Sequence, residues 1–142
     1  MNMTVPKQVL RLPDWRARLV DYLNHCAHEP FIEGQFDCAL FFADAVAAMT
    51  GKDHAKEFRG RYTTTRGGIR ILKKAGFSDH IALAKHHCPE KPVAFANEGD
   101  GAVIPTPDGP ALGVVQGENV YVRTPERLGL VPLLSADRAL TV

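Results

Sequence analysis

The hydrophobic pattern divides the chain into two halves, with the change at Pro89-Glu90-Lys91-Pro92. Before that point apolar residues recur at three- and four-residue intervals, the spacing of one helix face. Trp15, Leu19, Tyr22, Leu23 and Cys26 form such a stripe. They predict a first helix from the N-cap Asp14 to about His28, stopped by Pro30. Residues 31–36 predict a loop around Gly34. A second helix is predicted from Asp37 to Met49 or Thr50, closed by Gly51 as a C-terminal cap. Cys38, Phe41, Phe42, Ala45 and Met49 share its apolar face, and Asp44 lies off it. Asp53 predicts the cap of a short helix to Phe58, Thr65 that of a helix ended by Gly76, and Ser78 that of a last helix stopping before Pro89.

After residue 92 the period changes. Short apolar or β-branched runs at 101–104, 111–116, 119–123, 129–134 and 139–142 alternate with Gly and Pro and predict strands. Gly117-Glu118, between two such runs, suits a type II′ hairpin turn. Helices first and an antiparallel meander afterwards make the segregated α+β class, with no internal repeat. At 142 residues, roughly two-thirds of the extended surface can be buried, enough for one core without staples. A single domain over 1–142 is expected, with 1–12 as an extended N-terminal segment.

Charge and composition narrow the function classes. Seventeen Lys and Arg against 16 Asp and Glu leave a net charge of +1, which argues against a dedicated nucleic-acid binder. The local basic run from Arg59 to Lys74 reads as a solvated helix face and loop. No apolar stretch has the length of a bilayer span, and the first residues lack a signal-peptide apolar region. Three cysteines cannot all pair within the chain and read as thiols in a reducing compartment.

Among those three, Cys38 stands apart, one residue after the N-cap Asp37. A helix N-terminus presents unpaired N–H groups and a partial positive charge, which stabilise a thiolate and can receive an oxyanion. The same residue also reads as a small apolar side chain on the helix's core face. Each of the six histidines reads first as solvated or locally hydrogen-bonded, with the alternative that one of them approaches Cys38 in the fold. His86-His87-Cys88, with Cys26 and His25, would suggest zinc only weakly, because adjacent helix residues face different ways and no Cys-x-x-Cys spacing exists. No metal or other cofactor is expected.

Longer segments carry a resemblance. Phe36-Asp37-Cys38-Ala39-Leu40-Phe41 followed by Ala43-Asp44-Ala45-Val46 is similar to the nucleophile helix of the NlpC-type, papain-like cell-wall cysteine peptidases. Met49-Thr50-Gly51, Phe58-Arg59-Gly60-Arg61-Tyr62, Gly99-Asp100-Gly101-Ala102-Val103, Ala111-Leu112-Gly113-Val114 and Gly129-Leu130-Val131-Pro132-Leu133 continue it, and a small phage tail-associated branch is resembled most. The resemblance implies a minimal papain-like domain, N-terminal helices packed on a C-terminal antiparallel sheet, with Cys38 as the nucleophile. Asp37, Arg59, Tyr62 and Asp100 would line its cleft, although Arg59-Gly60-Arg61-Tyr62 reads equally well as a loop that pairs with helix-end carboxylates. The family's general-base histidine falls at Ala111, which cannot move a proton, and its third residue would come from the strand holding Asn119, Tyr121 and Arg123. The implied function is therefore a tail-tip or tail-assembly module, catalytically degraded and acting as an adaptor on the tail hub and neighbouring tail-tip proteins. It would be made in the bacterial host cytoplasm and carried in the virion tail. The alternative is an active peptidase or amidase cleaving peptidoglycan stem peptides during DNA entry.

Overall fold

The computed structural model describes residues 10–30, 32, 37–124 and 127–142; of Cys38 it describes the backbone. Four helices come first: α1 (Trp15–Cys26), α2 (Cys38–Thr50), α3 (Thr65–Lys74) and α4 (His80–His87). Six strands follow: β1 (Glu90–Lys91), β2 (Gly101–Ile104), β3 (Ala111–Gln116), β4 (Asn119–Arg123), β5 (Leu128–Pro132) and β6 (Arg138–Leu140). They form one antiparallel sheet in the order β1-β6-β2-β3-β4-β5. The expected α+β class is thus the observed one. No helix among the described residues is long and apolar enough to cross a membrane. The expected extended segment over 1–12 lies outside the described residues up to residue 9, and the expected loop over 31–36 does so apart from Ile32.

Local chemistry explains most boundaries. The carboxylates of Asp37 and Asp79 accept the N–H groups of Leu40 and Ala82 at 2.9 and 2.8 Å, and the Thr64 hydroxyl accepts that of Gly67 at 3.0 Å. Each satisfies an orphan donor at a helix start. The caps of α3 and α4 are therefore Thr64 and Asp79, one residue away from the expected Thr65 and Ser78. Asp14 stands at the start of α1 without capping it, because its carboxylate takes the Arg18 guanidinium at 2.8 Å instead. The expected helix from Asp53 to Phe58 is a run of turns, with the Ala55 N–H held by Asp53 at 3.0 Å. Gly51 closes α2 at φ 79°, a left-handed conformation that glycine adopts without strain.

Helix α2 is the centre of the molecule. Phe41, Phe42, Ala45 and Met49 have no exposed surface, and they join Leu19, Leu23 and Cys26 of α1 with Val103, Leu112, Val114 and Leu140 of the sheet. The opposite face of the sheet is also apolar, where Ala102, Ile104, Val115, Val120 and Val122 pack against Leu133 and against Ala96 and Ala136, which follow two short 3-10 turns. The β3–β4 turn has Gly117 at φ 61° and no non-glycine residue at positive φ, the signs of the expected type II′ turn.

The strands depart from a simple meander in one place. After β5 the chain turns back at Leu133–Ser135, and β6 pairs with β2, setting Ala102 opposite Ala139. The far side of β6 then recruits the two-residue β1, which carries no periodic signal because it is too short to show one.

Asp100 holds this arrangement together. It is 1% exposed, and its carboxylate accepts Arg11 Nη2 at 3.1 Å, Lys91 Nζ at 2.5 Å, and the N–H groups of Asn97 and Val142 at 2.8 and 3.0 Å. Arg11 also donates to the carbonyls of Glu98 and Val142. One buried anion thereby joins the approach to α1, the β1 edge, the turn into β2 and the residues after β6.

Two substitutions test these contacts. Asp100→Asn leaves two cations without their anion, so a loss of about 3–5 kcal/mol in urea unfolding is expected, with little change in the slope. A Cβ on Gly101 would stand 2.5 Å from the Phe42 ring. Gly101→Ala should therefore cost about 1–3 kcal/mol, and Phe42→Leu in the same chain should restore part of it.

Candidate functional site

The N-terminus of α2 is built around Asp37. Its carboxylate is buried and accepts from the Leu40 N–H and, in a short hydrogen bond, from the Tyr62 hydroxyl. Tyr62 in turn packs its ring on Gly68 of α3, where a Cβ would stand 3.0 Å from the ring carbon Cδ2. Cys38 is the first residue of the helix, where backbone N–H groups have no intrahelical partner. Its expected role rests on a side chain outside the described atoms, so the surroundings define the site.

Those surroundings form a cavity of about 270 Å³. Asp37 and Ala39, the two residues flanking Cys38, both line it. Phe58, Ile69, Leu72 and Leu83 make an apolar wall, and the turn Asp108-Gly109-Pro110 with Leu112 closes the sheet side. The polar groups on its surface include Asp37, Tyr62, Asp79, His54 and His80. A mainly apolar cleft with a few convergent polar groups is the usual form of a small-ligand site.

The two imidazoles are the residues that the sequence pattern missed, since every histidine reads there first as solvated or locally bonded. His80 opens α4 directly after its Asp79 cap, and its Nε2 lies 3.0 Å from the Pro110 carbonyl oxygen. Burial pushes its pKa below the usual 6.5, while the charges of Asp79 and Asp37 and the Pro110 carbonyl pull it back. The ring is therefore neutral at neutral pH. His54 is pushed further, to about 4, first by burial and then by His87, whose ring stacks on it at 5.2 Å. His54 also meets the Phe42 ring, and its Nδ1 has no hydrogen-bond partner among the described residues. Nothing in the sequence says that α4 docks on the turn before β3, which is what brings His80 into the cleft.

Other expected site residues fall elsewhere. Arg59 does not line the cavity. Its guanidinium grips Asp53 at 2.8 and 3.0 Å and also pairs with Asp44, clamping the turn after α2 to that helix. Asp100 is the structural anion described above and lies away from the cleft. Ala111 opens β3 but faces the cluster of Ala102, Ile104 and Val115, on the far side of the sheet from α2. Its neighbours Pro110 and Leu112 are the ones that reach the cavity. On β4, Arg123 is buried and donates to the carbonyls of Cys26 and Glu29, capping the end of α1.

The remaining thiols and histidines were candidates for a metal. Burial pushes the Cys26 and Cys88 thiols up to about 11 and 12. Among the described residues no group of three or more His, Cys, Asp or Glu side chains is placed to hold a metal ion.

Comparison with known proteins agrees with the architecture. A solved structure described as "Crystal structure of NlpC/p60 domain of peptidoglycan hydrolase SagA" superposes with a TM-score of 0.53 at 18% identity, covering 89% of this chain and 97% of that one. At that identity the likeness is one of fold: four helices and a six-stranded antiparallel sheet in an NlpC/p60-like arrangement. No curated protein matches the sequence. A family profile described as "Domain of unknown function (DUF6950)" matches residues 10–142, and the chain belongs to that family.

Proposed function

We propose that this domain is a cysteine hydrolase that cleaves peptide links in peptidoglycan stem peptides, carried at a phage tail tip and acting during DNA entry. One observation carries the hydrolase reading: the helix end that begins with Cys38 borders an apolar cavity with a neutral imidazole, His80, on its wall. A thiol at a helix N-terminus, a nearby base and free backbone N–H groups are the parts that acyl transfer needs. The thiolate would attack the scissile carbonyl, and the N–H groups at the start of α2 would receive the oxyanion. A thioester would form as the amine leaves, and water would then release the acid. Phe58, Ile69 and Leu72 would hold an apolar side chain of the substrate. The similarity in fold to a domain from a peptidoglycan hydrolase supports the substrate class, and the sequence resemblance described above supports the tail location.

A second reading has its own support. Ala111 carries no imidazole where the resembling family has one, which favours a degraded domain that binds in the cleft and serves as an adaptor on the tail hub.

Incubating the protein with defined muropeptides and measuring new amino termini separates the two. The hydrolase reading expects cleavage that falls by about 10³-fold or more in Cys38→Ala. Stem peptides that bind the wild-type cleft yet are left uncut would instead establish the adaptor reading.

A further inference from the structure

The two imidazoles on the cavity wall differ in what each can do. The Pro110 carbonyl oxygen can only accept, so the proton on the His80 ring sits on Nε2, which donates to it at 3.0 Å. The neutral ring then carries its lone pair on Nδ1. A carbonyl that fixes the tautomer and orientation of an imidazole is the third member of a nucleophile, base and orienter set. His80 is anchored twice, through this bond and through the capped start of α4. His54, by contrast, is wedged between Phe42 and His87, and a pKa near 4 makes it a poor proton acceptor at neutral pH.

Position 111 cannot substitute for either ring. Its side chain faces away from α2, and the β3 residue that does line the cavity, Leu112, carries no ionisable group. The Pro110 carbonyl, one residue before the start of β3, is where His80 docks.

We infer that His80, delivered by α4 and oriented by the Pro110 carbonyl, is the general base for the Cys38 thiol. The inference rests on the hydrolase reading and assigns its missing proton acceptor. His80 Nδ1 takes the thiol proton as sulfur bonds to the carbonyl carbon. It gives that proton to the leaving amine as the C–N bond breaks. In the second half it takes a proton from water as oxygen attacks the thioester, and returns it to the departing sulfur. The charged and titratable groups around the ring are Asp79 on its own helix, Asp37 at the start of α2, Asp108 in the adjoining turn, and Tyr62 and His54 across the cavity. Asp37 and Asp79 favour the imidazolium that each proton transfer creates.

The test is the pH dependence of iodoacetamide alkylation, with Cys38→Ala as the blank and the two buried, high-pKa thiols as slow background. In the wild type, Cys38 should react fast below pH 7. In His80→Gln, whose side-chain amide can still donate to Pro110, the inflection should rise toward the ordinary thiol value of about 8.5. The rate at pH 6.5 should then fall about tenfold or more. Free imidazole should restore part of the rate to His80→Ala, which guards against a folding defect being read as loss of a base. An unchanged pH profile in both variants, or a shift produced by His54→Ala instead, would overturn the assignment while leaving Cys38 a nucleophile. A wild-type Cys38 no faster than Cys26 and Cys88 would sink the hydrolase reading itself.

Discussion

The carboxylate of Asp100 is the constraint on which the rest of the architecture depends. A buried anion survives only where positive charge and N–H donors surround it. Here two cations and two backbone donors arrive from four separate stretches of chain. Satisfying it fixes where the chain enters α1, where β1 lies and where the strand after β5 must finish. The return of β6 to the edge of β2 sets Leu140 opposite Gly101 and brings Val142 within reach of this carboxylate. Glycine at 101 then admits the Phe42 ring against the sheet, which sets the depth at which α2 sits.

With α2 so placed, the cavity is a by-product of how the segment after it folds. Leu40 and Ala43 pack on Ala55, while Phe58 packs with Leu72 and Leu83. These small satellite clusters hold α3 and α4 over the α2 N-terminus without filling the space in front of it. The clamp of Arg59 between Asp44 and Asp53 and the hydroxyl of Tyr62 on Asp37 fasten the same segment. Residues expected to touch substrate thus divide into two groups. Asp37 and Tyr62 border the cleft, while Arg59 fastens the turn after α2 and Asp100 ties the sheet edge to the approach to α1.

Much of the local structure was legible from the chain. The C-terminal glycine of α2, the stripe of α1, the strands at 101–104, 111–116 and 119–123 and the hairpin at Gly117 follow from side-chain period and turn chemistry, which act over a few residues. The caps of α3 and α4 are Thr64 and Asp79 rather than the adjacent Thr65 and Ser78, because neighbouring polar residues are equally suited to accept the first free N–H groups. Asp14 was drawn off by Arg18, an ion pair one helical turn away that local capping rules do not weigh. Strand β1 is legible only through its partner β6.

The candidate site shows the same division more sharply. Chain order alone singles out Cys38, because a cysteine after an N-cap aspartate meets the field of a helix end whatever the fold around it. That His80 lines the cavity beside that helix end follows from α4 docking on the turn before β3, a contact between residues 80 and 110. Which way position 111 points is settled by the pleat of a strand paired with β2 on one side and β4 on the other. Periodicity and capping are short-range effects and are written in the order of residues. The meeting of His80 with Pro110, like that of Arg11 and Lys91 with Asp100, depends on burial shared among distant segments, and exists only once the chain has folded.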